Sequence, residues 1–588
     1  MNLKKLISGY GAGLIWAGVS IILATVLHSL GLFDLLNYKV LDFAFTSVRG
    51  PIAGPKAPDP IPRDSMKVVI VDVDDETWRL VPYKWPYPRD DIWSRVIRNL
   101  ADAGARVIAF DIEFDSPDQV SDILEKVNAR GNTIEFRHGD EVFADAVRYA
   151  QSKGTRIVLA SKLVHEPTRL PPQYISYPVP RIMTADQEPG LINEIKDFDG
   201  TTRKYAIFYE MSHEPGTWYL PLGLKAIKEY WGIPDSTIPG IDWDNSIINY
   251  GPAAIRTYGK NASYLVNFYG PPSGSSLPGE ESWKTYDRYP LSNVLDDAEF
   301  DLNPIEEDSD WMDLFDPNSD INMMMQMIDP EYEVPESPFE GKIILIGVSV
   351  NVLLDVKTTP YYNYAGIQQL MPGVEYHANA VQTVLDENYI QVAGGTLELT
   401  WTSLGANLLI IVVLALFTFL MVQRTSPILG GLLIFVEILV FVDVALGYFT
   451  SDYLWLIKFV AGHLPRALAI ALVESMPNFF TIAKPEIGGS MYVPIIPGVA
   501  SIALTYGSIV LYRFLMERKD KQFLKNTFGT YVSPELIDEM YESKQTPELG
   551  GESGIRTAYF TDIASFSAFS EVLTAAKLVE LLNEYLTA

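Results

Sequence analysis

The 588-residue sequence contains no cysteine, and its 45 lysine and arginine residues are outnumbered by 74 aspartate and glutamate residues. The absence of cysteine excludes disulfide bonds, thiol catalysis and cysteine-ligated zinc or iron–sulfur sites, although it does not fix the redox compartment. The shortage of positive charge leaves a formal net charge of −29. Nucleic acid and anionic lipid are therefore not expected as partners of the acidic part of the chain.

The negative charge is concentrated in one long segment. Residues 34–397 hold 31 basic and 56 acidic residues, which account for −25 of the net charge. The whole sequence is nevertheless 48% hydrophobic, with a slightly positive mean hydropathy of +0.09. Length and composition together favour a membrane protein with several domains rather than a single core. We therefore interpret residues 34–397 as a water-facing domain.

Apolar stretches long enough to cross a bilayer occur at residues 9–33, 399–422, 428–449 and 493–515. The first is interpreted as a retained anchor, because it is long and lacks a small-residue cleavage site. Basic residues near positions 4, 424 and 513–525 indicate that residues 1–8 and the C-terminal tail are cytoplasmic. The acidic domain is then periplasmic, and residues 450–492 are expected to form a periplasmic or interfacial loop.

Two acidic residues, Glu437 and Asp443, fall inside the third predicted span, where ionisable side chains are unfavourable. They indicate either a signalling or oligomer contact, or a helix packed in a bundle with protonated or hydrogen-bonded acids. Both interpretations stay open from the sequence.

A strand–helix–strand pattern opens the acidic domain. The run "MKVVIVDVDDE" is followed by the helical pattern "DDIWSRVIRNLADAGA" and by a second run, "RVIAFDIEF". This spacing predicts a βαβ unit, and "TRIVLASKL" and "GKIILIGVSV" continue the pattern. The predicted fold is therefore α/β with a largely parallel sheet, completed by strands that are distant in sequence.

Acidic residues follow these strands at the edge where open α/β sheets bind ligands. They are Asp72, Asp74, Asp75, Asp111, Glu113 and Asp115. They indicate either a site for a cation or a polyhydroxyl ligand, or carboxylates that cap helix N-termini. Residues 296–340 hold about sixteen further acids and no lysine or arginine. We interpret this insert as a solvated loop rather than a calcium site, because it has no EF-hand pattern.

Several blocks of the acidic domain resemble the second type of CHASE extracellular sensor domain. They include "VIVDVDDETW", "DFDGTTRKY", "FEGKIILIGVSVNVLLDVKTTP" and "MPGVEYHANAVQTVL", in the order of that family. The layout of one helix before the domain and three after it is also similar. The resemblance implies a sensor in the bacterial inner membrane that controls a cytoplasmic output domain. It names no ligand, so the periplasmic ligand or protein partner stays unknown.

After the last span, residues 516–545 read as a charged connector helix. Apolar positions at the end of the span and in this connector, Phe514, Leu515, Phe523, Leu524 and Phe528, suit either pairing with a second copy or an amphipathic helix on the membrane surface. The sequence "IRTAYFTDIASFSAFSEVL" then predicts a strand that ends at Asp562, a small-residue turn and a helix. A carboxylate at such a turn suits a metal–phosphate site, although it is often a simple N-cap.

Residues 546–588 resemble the opening of a class III nucleotidyl cyclase domain, through "LGGE", "FTDIASFSAFSE" and "LVELLNEYL". The resemblance implies an α+β domain with two Mg²⁺ or Mn²⁺ ions, of which Asp562 and the carbonyl of Ile563 hold metal. The backbone N–H groups of Phe566 and Ser567 would contact the triphosphate. Ser565 stands where the family usually has glycine, and Ser567 where it usually has threonine.

The implied reaction converts ATP to cyclic AMP and pyrophosphate in a homodimer, because class III sites lie between two such domains. The resemblance covers at most the first third of the domain, so this chain is not expected to turn over nucleotide. The alternative is a non-catalytic membrane receptor or assembly protein whose cyclase-like segment only dimerises. A sensor kinase is disfavoured, because the tail has no phosphoacceptor histidine motif and no glycine-rich kinase loop.

Overall fold

The computed structural model describes residues 3–54, 61–62, 65–131, 133–183, 188–275, 282–297, 299–300, 302, 310–450, 465, 489–528, 555 and 557–587. The chain divides into two compact units, Met1–Tyr512 and Arg513–Ala588. The larger unit holds the sensor-like domain and the apolar helices, and the smaller one holds the cyclase-like segment.

The helices of the described residues are α1 (Leu3–Ser29), α2 (Asp34–Phe43), α3 (Asp75–Leu80), α4 (Ser94–Asp102), α5 (Gln119–Asn128), α6 (Gly139–Lys153), α7 (Leu222–Trp231), α8 (Leu291–Leu295), α9 (Asp320–Ile328), α10 (Gly373–Leu385), α11 (Trp401–Val422), α12 (Pro427–Thr450), α13 (Ile495–Phe528), α14 (Phe566–Ser570) and α15 (Ala575–Thr587). A π-helical turn, Ala44–Arg49, continues α2, and another, Arg89–Trp93, leads into α4.

The strands are β1 (Val68–Val73), β2 (Val107–Glu113), β3 (Arg156–His165), β4 (Gln173–Ser176), β5 (Gly190–Leu191), β6 (Ile195–Lys196), β7 (Thr202–Ala206), β8 (Tyr209–Glu210), β9 (Trp218–Tyr219), β10 (Gly240–Asp242), β11 (Ile247–Tyr250), β12 (Ala253–Arg256), β13 (Ser263–Leu265), β14 (Asp287–Pro290), β15 (Ile343–Val348), β16 (Val356–Lys357), β17 (Asn363–Tyr364), β18 (Ile367–Gln368), β19 (Met371–Pro372), β20 (Tyr389–Val392) and β21 (Gly489–Tyr492).

The main sheet has the order β14-β1-β15-β2-β3-β4, with β5 also paired to β3. Neighbouring strands from β14 to β3 run parallel, as do β3 and β5, and only the β3–β4 pair is antiparallel. The predicted parallel sheet is therefore confirmed. So is its completion by distant strands, because β15 inserts between β1 and β2.

Helices cover both faces of this sheet. Helices α7 and α10 lie on the face that buries Val68 and Ile70 of β1, with α10 against β1 and β15 and α7 against β2 and β3. Helices α4, α6 and α8 lie on the face that buries Val69 and Val71. Every residue of β1 and β15 is consequently buried. This double coverage explains why the two strands read as continuous apolar runs rather than as alternating ones.

A second sheet, which the sequence analysis did not predict, has the order β21-β20-β13-β7-β6. Strand β20 precedes α11, and β21 leads into α13. Residues 489–492 of the predicted 450–492 loop are thus a strand. Thr450, the first residue of that loop, is the last residue of α12, and residues 451–464 and 466–488 lie outside the described residues.

Among the described residues, α11, α12 and Ile495–Thr527 are long and apolar enough to cross a membrane. A fourth span is possible if the bent pair Gly13–Ser29 and Asp34–Arg49, at 81°, counts as one. The first predicted span, residues 9–33, is therefore wrong at its end, because α1 stops at Ser29. The cause is Gly31, whose φ of +70° suits glycine, with Leu32 N–H bonded to the Leu27 carbonyl at 3.2 Å.

Helix α13 runs unbroken to Phe528, so the predicted span 493–515 and the start of the connector form one helix. Beyond residue 528 the connector lies outside the described residues, as do the side chains of Leu524 and Phe528. In α12, both Glu437 and Asp443 are 6% exposed, and Glu437 accepts a hydrogen bond from the Thr418 hydroxyl of α11 at 2.9 Å. Packing within the helix bundle therefore accounts for Glu437.

Candidate functional site

The candidate site lies where the connections of neighbouring strands diverge. The chain leaves β1 and β2 towards the face covered by α4 and α6, whereas it leaves β15, which lies between them, towards α10 on the other face. Such switch points form crevices beyond the carboxyl ends of the strands, and ligands bind there in open α/β sheets. Two hollows occur at these positions.

The larger hollow, which we call the main cleft, opens between the carboxyl ends of β2 and β15 and has a volume of about 690 Å³. Small-molecule sites have volumes in this range. Its lining includes the charged residues Asp111, Glu113, Lys162, Glu194, Asp355 and Lys357.

Both lysines of the main cleft are already neutralised. Lys357 Nζ lies 2.9 Å from Asp355 Oδ1 and 3.6 Å from Glu194 Oε2. Lys162 Nζ lies 3.2 Å from Glu113 Oε1. An anionic ligand would have to compete with these carboxylates for either lysine.

A buried hydrogen-bond chain supports the floor of the main cleft. The Gly223 N–H donates to the Tyr205 hydroxyl oxygen at 2.8 Å, so that hydroxyl is free to donate to His377 Nδ1 at 2.7 Å. His377 then carries its proton on Nε2, 3.6 Å from Asp111 Oδ1. Burial lowers the pKa of His377 to about 3, so the ring is neutral at physiological pH.

Asp111 has no salt bridge to a lysine or arginine among the described residues, although the charge of Lys357 acts on it from a longer distance. Its side chain is 6% exposed, and its Oδ2 atom has no hydrogen-bond partner among the described residues. Burial, followed by the nearby charge of Asp355, raises the pKa of Asp111 well above its ordinary value. The group is therefore held ready to bind either a proton or a cation.

Aromatic rings form another part of the lining. Trp85, Tyr87, Trp93 and Phe114 all line the main cleft, and the Trp85 and Tyr87 rings meet edge to face with centroids 5.4 Å apart. The hydroxyl of Tyr87 is buried without a partner among the described residues. Arg89, which also lines the cleft, is occupied by a buried ion pair with Asp140. The lining of the main cleft thus combines aromatic rings with two buried polar groups, Asp111 and the Tyr87 hydroxyl, that each have an atom without a hydrogen-bond partner among the described residues.

The second hollow has a volume of about 430 Å³ and lies beside β1. Asp72, fully buried at its wall, accepts hydrogen bonds from Arg288 and Ser349. Behind Arg288, the buried Glu375 of α10 accepts a hydrogen bond from the Ser273 N–H at 2.9 Å. Burial raises the pKa of Glu375 to about 7 from its ordinary 4.5.

Glu375 gives the domain a stability that depends on pH. Because its pKa is higher in the folded state, the folded state binds more protons between pH 4.5 and about 7, and the unfolding free energy falls as pH rises through this range. Over this pH range we expect the unfolding free energy of Glu375→Gln to fall by on the order of 3 kcal/mol less than that of the wild type. Thermal unfolding of both proteins between pH 4.5 and 8 measures this difference. The matched control is the exposed Glu387→Gln, and equal pH slopes for both variants would contradict the assignment.

The structure separates the predicted strand-end acids into two groups. Asp72, Asp74 and Asp75 line the second hollow, and Asp111 and Glu113 line the main cleft. Asp115 is exposed and lines neither of them. The capping interpretation is correct for Asp74, whose Oδ1 accepts from the Thr77 N–H at 2.8 Å.

Sequence reasoning missed several residues of the main cleft and the buried Glu375 near the second hollow. Asp355, Lys357, Glu375 and His377 come from the far end of the domain and were not proposed as site residues. A signal was present, because all four lie inside the two late blocks, "FEGKIILIGVSVNVLLDVKTTP" and "MPGVEYHANAVQTVL", that carry the family resemblance.

The comparison with known protein families matches residues 19–420 to the CHASE2 domain. The chain belongs to the CHASE2 domain family. This match covers both hollows, four of the five strands of the second sheet and nearly all of α11, because β21 at Gly489–Tyr492 lies beyond it. It supports an extracellular sensor-type domain in a membrane receptor. Searches of curated proteins and of solved structures find no significant match.

In the CHASE2 domain, the block "DFDGTTRKY" forms an ion network that we call the membrane joint. Arg203, 1% exposed, bonds to Asp42 of α2 and to Asp197 and Asp199, all at 2.8 to 2.9 Å. Lys204 next to it pairs with Asp197 and with Glu398, three residues before α11. The joint thus ties the sensor domain to two helices that belong to candidate membrane spans.

Part of the acidic insert is folded, so its interpretation as a solvated loop is wrong for residues 310–332. Trp311 packs against Tyr289 and Phe339, with ring centroids 5.3 and 6.0 Å away. The fully buried Asn322 of α9 donates from Nδ2 to the carbonyls of Asp313, Leu314 and Asp316. These contacts anchor the insert on the domain. Residues 303–309 lie outside the described residues.

The cyclase-like segment differs from its prediction in one respect. Residues 557–562 belong to the strand that was predicted to end at Asp562, but they show no strand pairing among the described residues. A strand needs ladder hydrogen bonds to a neighbouring strand. The turn is as expected: Ser565 has φ +63°, a conformation that favours glycine, and α14 begins at Phe566. Asp562 and Ser567 are exposed, and Ile563 is half-buried.

The described part of this segment does not by itself complete a two-metal site. A hard divalent ion takes six or more oxygen ligands, and two ions need more than one carboxylate. Asp562 is the carboxylate at the turn. Across the described residues of the chain, no group of three or more histidine, aspartate or glutamate residues is arranged to hold a metal. Roles for Asp562, Ile563, Phe566 and Ser567 therefore stay predictions.

Proposed function

We propose that the chain is the sensor, membrane and leading catalytic part of a receptor-type nucleotidyl cyclase, in which the CHASE2 domain controls the conversion of ATP to cyclic AMP and pyrophosphate. In this proposal the CHASE2 domain faces the periplasm, and the tail faces the cytoplasm of a bacterial cell. The expected cofactor is Mg²⁺ or Mn²⁺, and the expected assembly is a homodimer.

The observation that carries the receptor function is the membrane joint. A ligand bound between β2 and β15 acts on α10, and the Tyr376 hydroxyl of that helix donates to the Lys204 carbonyl of the joint at 2.6 Å. Arg203 and Lys204 in turn hold Asp42 of α2 and Glu398 before α11. A change at the cleft therefore has a continuous packed route to the membrane helices.

The cyclase output rests on the tail. The order of "LGGE", "FTDIASFSAFSE" and "LVELLNEYL" resembles the class III opening, and the left-handed Ser565 occupies the position where that family has glycine. The expected chemistry is attack of the ribose 3′-hydroxyl on the α-phosphorus, with pyrophosphate as the leaving group.

The test measures cyclic AMP and cyclic GMP formation by membranes that contain the full-length product of the gene, supplied with ATP or GTP and Mg²⁺ or Mn²⁺. We expect cyclic AMP from ATP and a loss of at least about 100-fold in Asp562→Ala, because removal of one metal carboxylate disables the site. The matched control is Glu584→Ala, an exposed acid on α15.

Three outcomes separate the proposals. Product that disappears only in Asp562→Ala supports the cyclase. Product from GTP alone would change the substrate but keep the enzyme class. No product from folded full-length protein would instead support a non-catalytic receptor whose tail only dimerises.

A further inference from the structure

We propose that the main cleft of the CHASE2 domain binds a small organic cation, an amine whose ammonium group pairs with Asp111 and whose body lies against the aromatic lining. The inference deepens the receptor half of the proposed function, because it names the ligand class of the same site. It does not depend on what the tail does.

The charge of the lining favours a cation. Its carboxylates are Asp111, Glu113, Asp118, Glu194 and Asp355, and its basic groups are Arg89, Lys162 and Lys357. Arg89 is engaged by Asp140 outside the cleft, and each lysine already has a carboxylate partner within the lining. Asp111 and Asp118 are then the two carboxylates of the lining without an ion pair to these basic groups, and Asp118 is already hydrogen-bonded by the N–H groups of Arg89 and Ser121. Asp111 is therefore the carboxylate that is left for a cationic ligand.

The unpaired atoms of the lining point to a ligand with hydrogen-bonding groups. Buried polar atoms are nearly always hydrogen-bonded in native proteins, so an exception calls for an explanation. Asp111 Oδ2 and the Tyr87 hydroxyl are two such exceptions, and both residues line the main cleft. An ammonium group can donate to the Asp111 carboxylate, and the Tyr87 hydroxyl can bond to a second polar group of the same ligand.

The rings favour an organic rather than a metal cation. Trp85 and Tyr87 present aromatic surface in the same cleft as Asp111, and ammonium groups are attracted to aromatic faces. No group of three metal-ligating side chains occurs in the described residues. Because a volume of about 690 Å³ is far larger than a hydrated ion needs, the site fits a molecule with a carbon skeleton.

The test uses the intact chain in detergent or nanodiscs, with 2-phenylethylamine and 1,4-diaminobutane as probes. Matched controls are 2-phenylethanol, which has no charge, and 3-phenylpropionate, which has the opposite charge. Thermal shift and isothermal titration calorimetry measure binding. We expect at least one amine to bind with Kd below about 1 mM and the two controls to bind at least tenfold more weakly.

Variants assign the binding to the main cleft. We expect Asp111→Asn to weaken amine binding at least tenfold and Tyr87→Phe, which keeps the ring, to weaken it about three- to tenfold. The matched control is Asp115→Asn, an exposed acid just beyond the same strand that does not line the cleft. Unfolding of each variant without ligand verifies that it is folded, and Tyr87→Phe keeps the test decisive if Asp111→Asn fails to fold.

Several results would overturn the inference. They are no binding of either amine up to about 10 mM, equal binding of the uncharged or anionic control, amine binding that survives Asp111→Asn unchanged, and stabilisation by calcium or by glucose in place of the amines. Failure of the cyclase assay would leave this result untouched, since binding is measured without nucleotide. Binding without cyclic nucleotide formation would retain the sensor and reject the enzyme.

Discussion

Arg203→Ala is expected to lower the unfolding free energy of the CHASE2 domain by about 3–5 kcal/mol, because it removes the buried guanidinium that pairs with three carboxylates at once. Among the described residues, Asp197 then keeps only Lys204 as an ion-pair partner. Asp42 and Asp199 keep only the exposed Lys39. The guanidinium makes paired hydrogen bonds to both oxygens of Asp42 and to both oxygens of Asp199, and a further bond to Asp197. It also lies 4.6 Å from the centre of the Tyr38 ring. No other side chain supplies this set of donors at once.

The electrostatics of Asp199 show how strongly the network relies on Arg203. Burial alone would raise the pKa of Asp199, yet hydrogen bonding and charge from Arg203 hold it below its ordinary value. Without Arg203, the same burial acts on Asp199 unopposed by that guanidinium. Protonation, water entry or local unfolding must then follow. Each of them weakens the attachment of the loop that carries Asp197 and Asp199 to helix α2.

Thermal unfolding of the whole chain in detergent measures this effect, with an expected drop of about 5–10 °C in the midpoint. Arg203→Lys keeps the charge but loses both paired contacts, so its midpoint is expected to lie between those of wild type and Arg203→Ala. The matched control is the exposed Arg130→Ala, which should leave the midpoint unchanged. A drop below about 1 kcal/mol in Arg203→Ala would show that water compensates the three acids and that the joint is not a buried network.

Features with local causes could be predicted from the sequence. The apolar runs gave β1, β2, β3 and β15 because full burial requires every residue of such strands to be apolar or paired. Asp74 could be anticipated as a cap, since its partner, Thr77, lies three residues away. Glycine's preference for the left-handed region also drew attention to Ser565, which indeed adopts it.

Features with distant causes could not be predicted in the same way. The bond between Arg203 and Asp42 joins residues 161 positions apart, and the contact of His377 with Asp111 crosses most of the domain. Strands β6, β13 and β21 have two to four residues, too short for a periodic pattern. The sequence therefore indicated half of the main cleft, the β2 side, and missed the half that α10 and the β15 loop contribute.

The second large effect is expected at Glu398, where the sensor domain meets α11. Its carboxylate accepts hydrogen bonds from the hydroxyls of Tyr38 and Tyr258 and from Lys204. Tyr258 in turn accepts from the Leu397 N–H at 2.7 Å. We expect Glu398→Ala to release this end of α11 and to speed amide exchange in residues 396–404 by ten- to a hundredfold.

Hydrogen exchange with mass spectrometry measures the release, and Glu387→Ala, an exposed acid after α10, is the matched control. The effect should be local, because the Glu398 side chain is 38% exposed and solvent screens its contribution to global stability. The midpoint of thermal unfolding should therefore change less in Glu398→Ala than in Arg203→Ala. Unchanged exchange at residues 396–404 would mean that the backbone, not Glu398, holds the helix start.

Signalling supplies the second readout of the same variant. Couplings between sites are typically 1–3 kcal/mol, or about 5- to 150-fold in affinity or population. If the joint transmits the state of the main cleft, Glu398→Ala should keep amine binding, since Glu398 does not line that cleft, and reduce the effect of the amine on the output severalfold. Faster exchange together with unchanged control of the output would exclude this contact as the route, and would leave the Arg203 contacts to α2 as the connection that reaches the membrane.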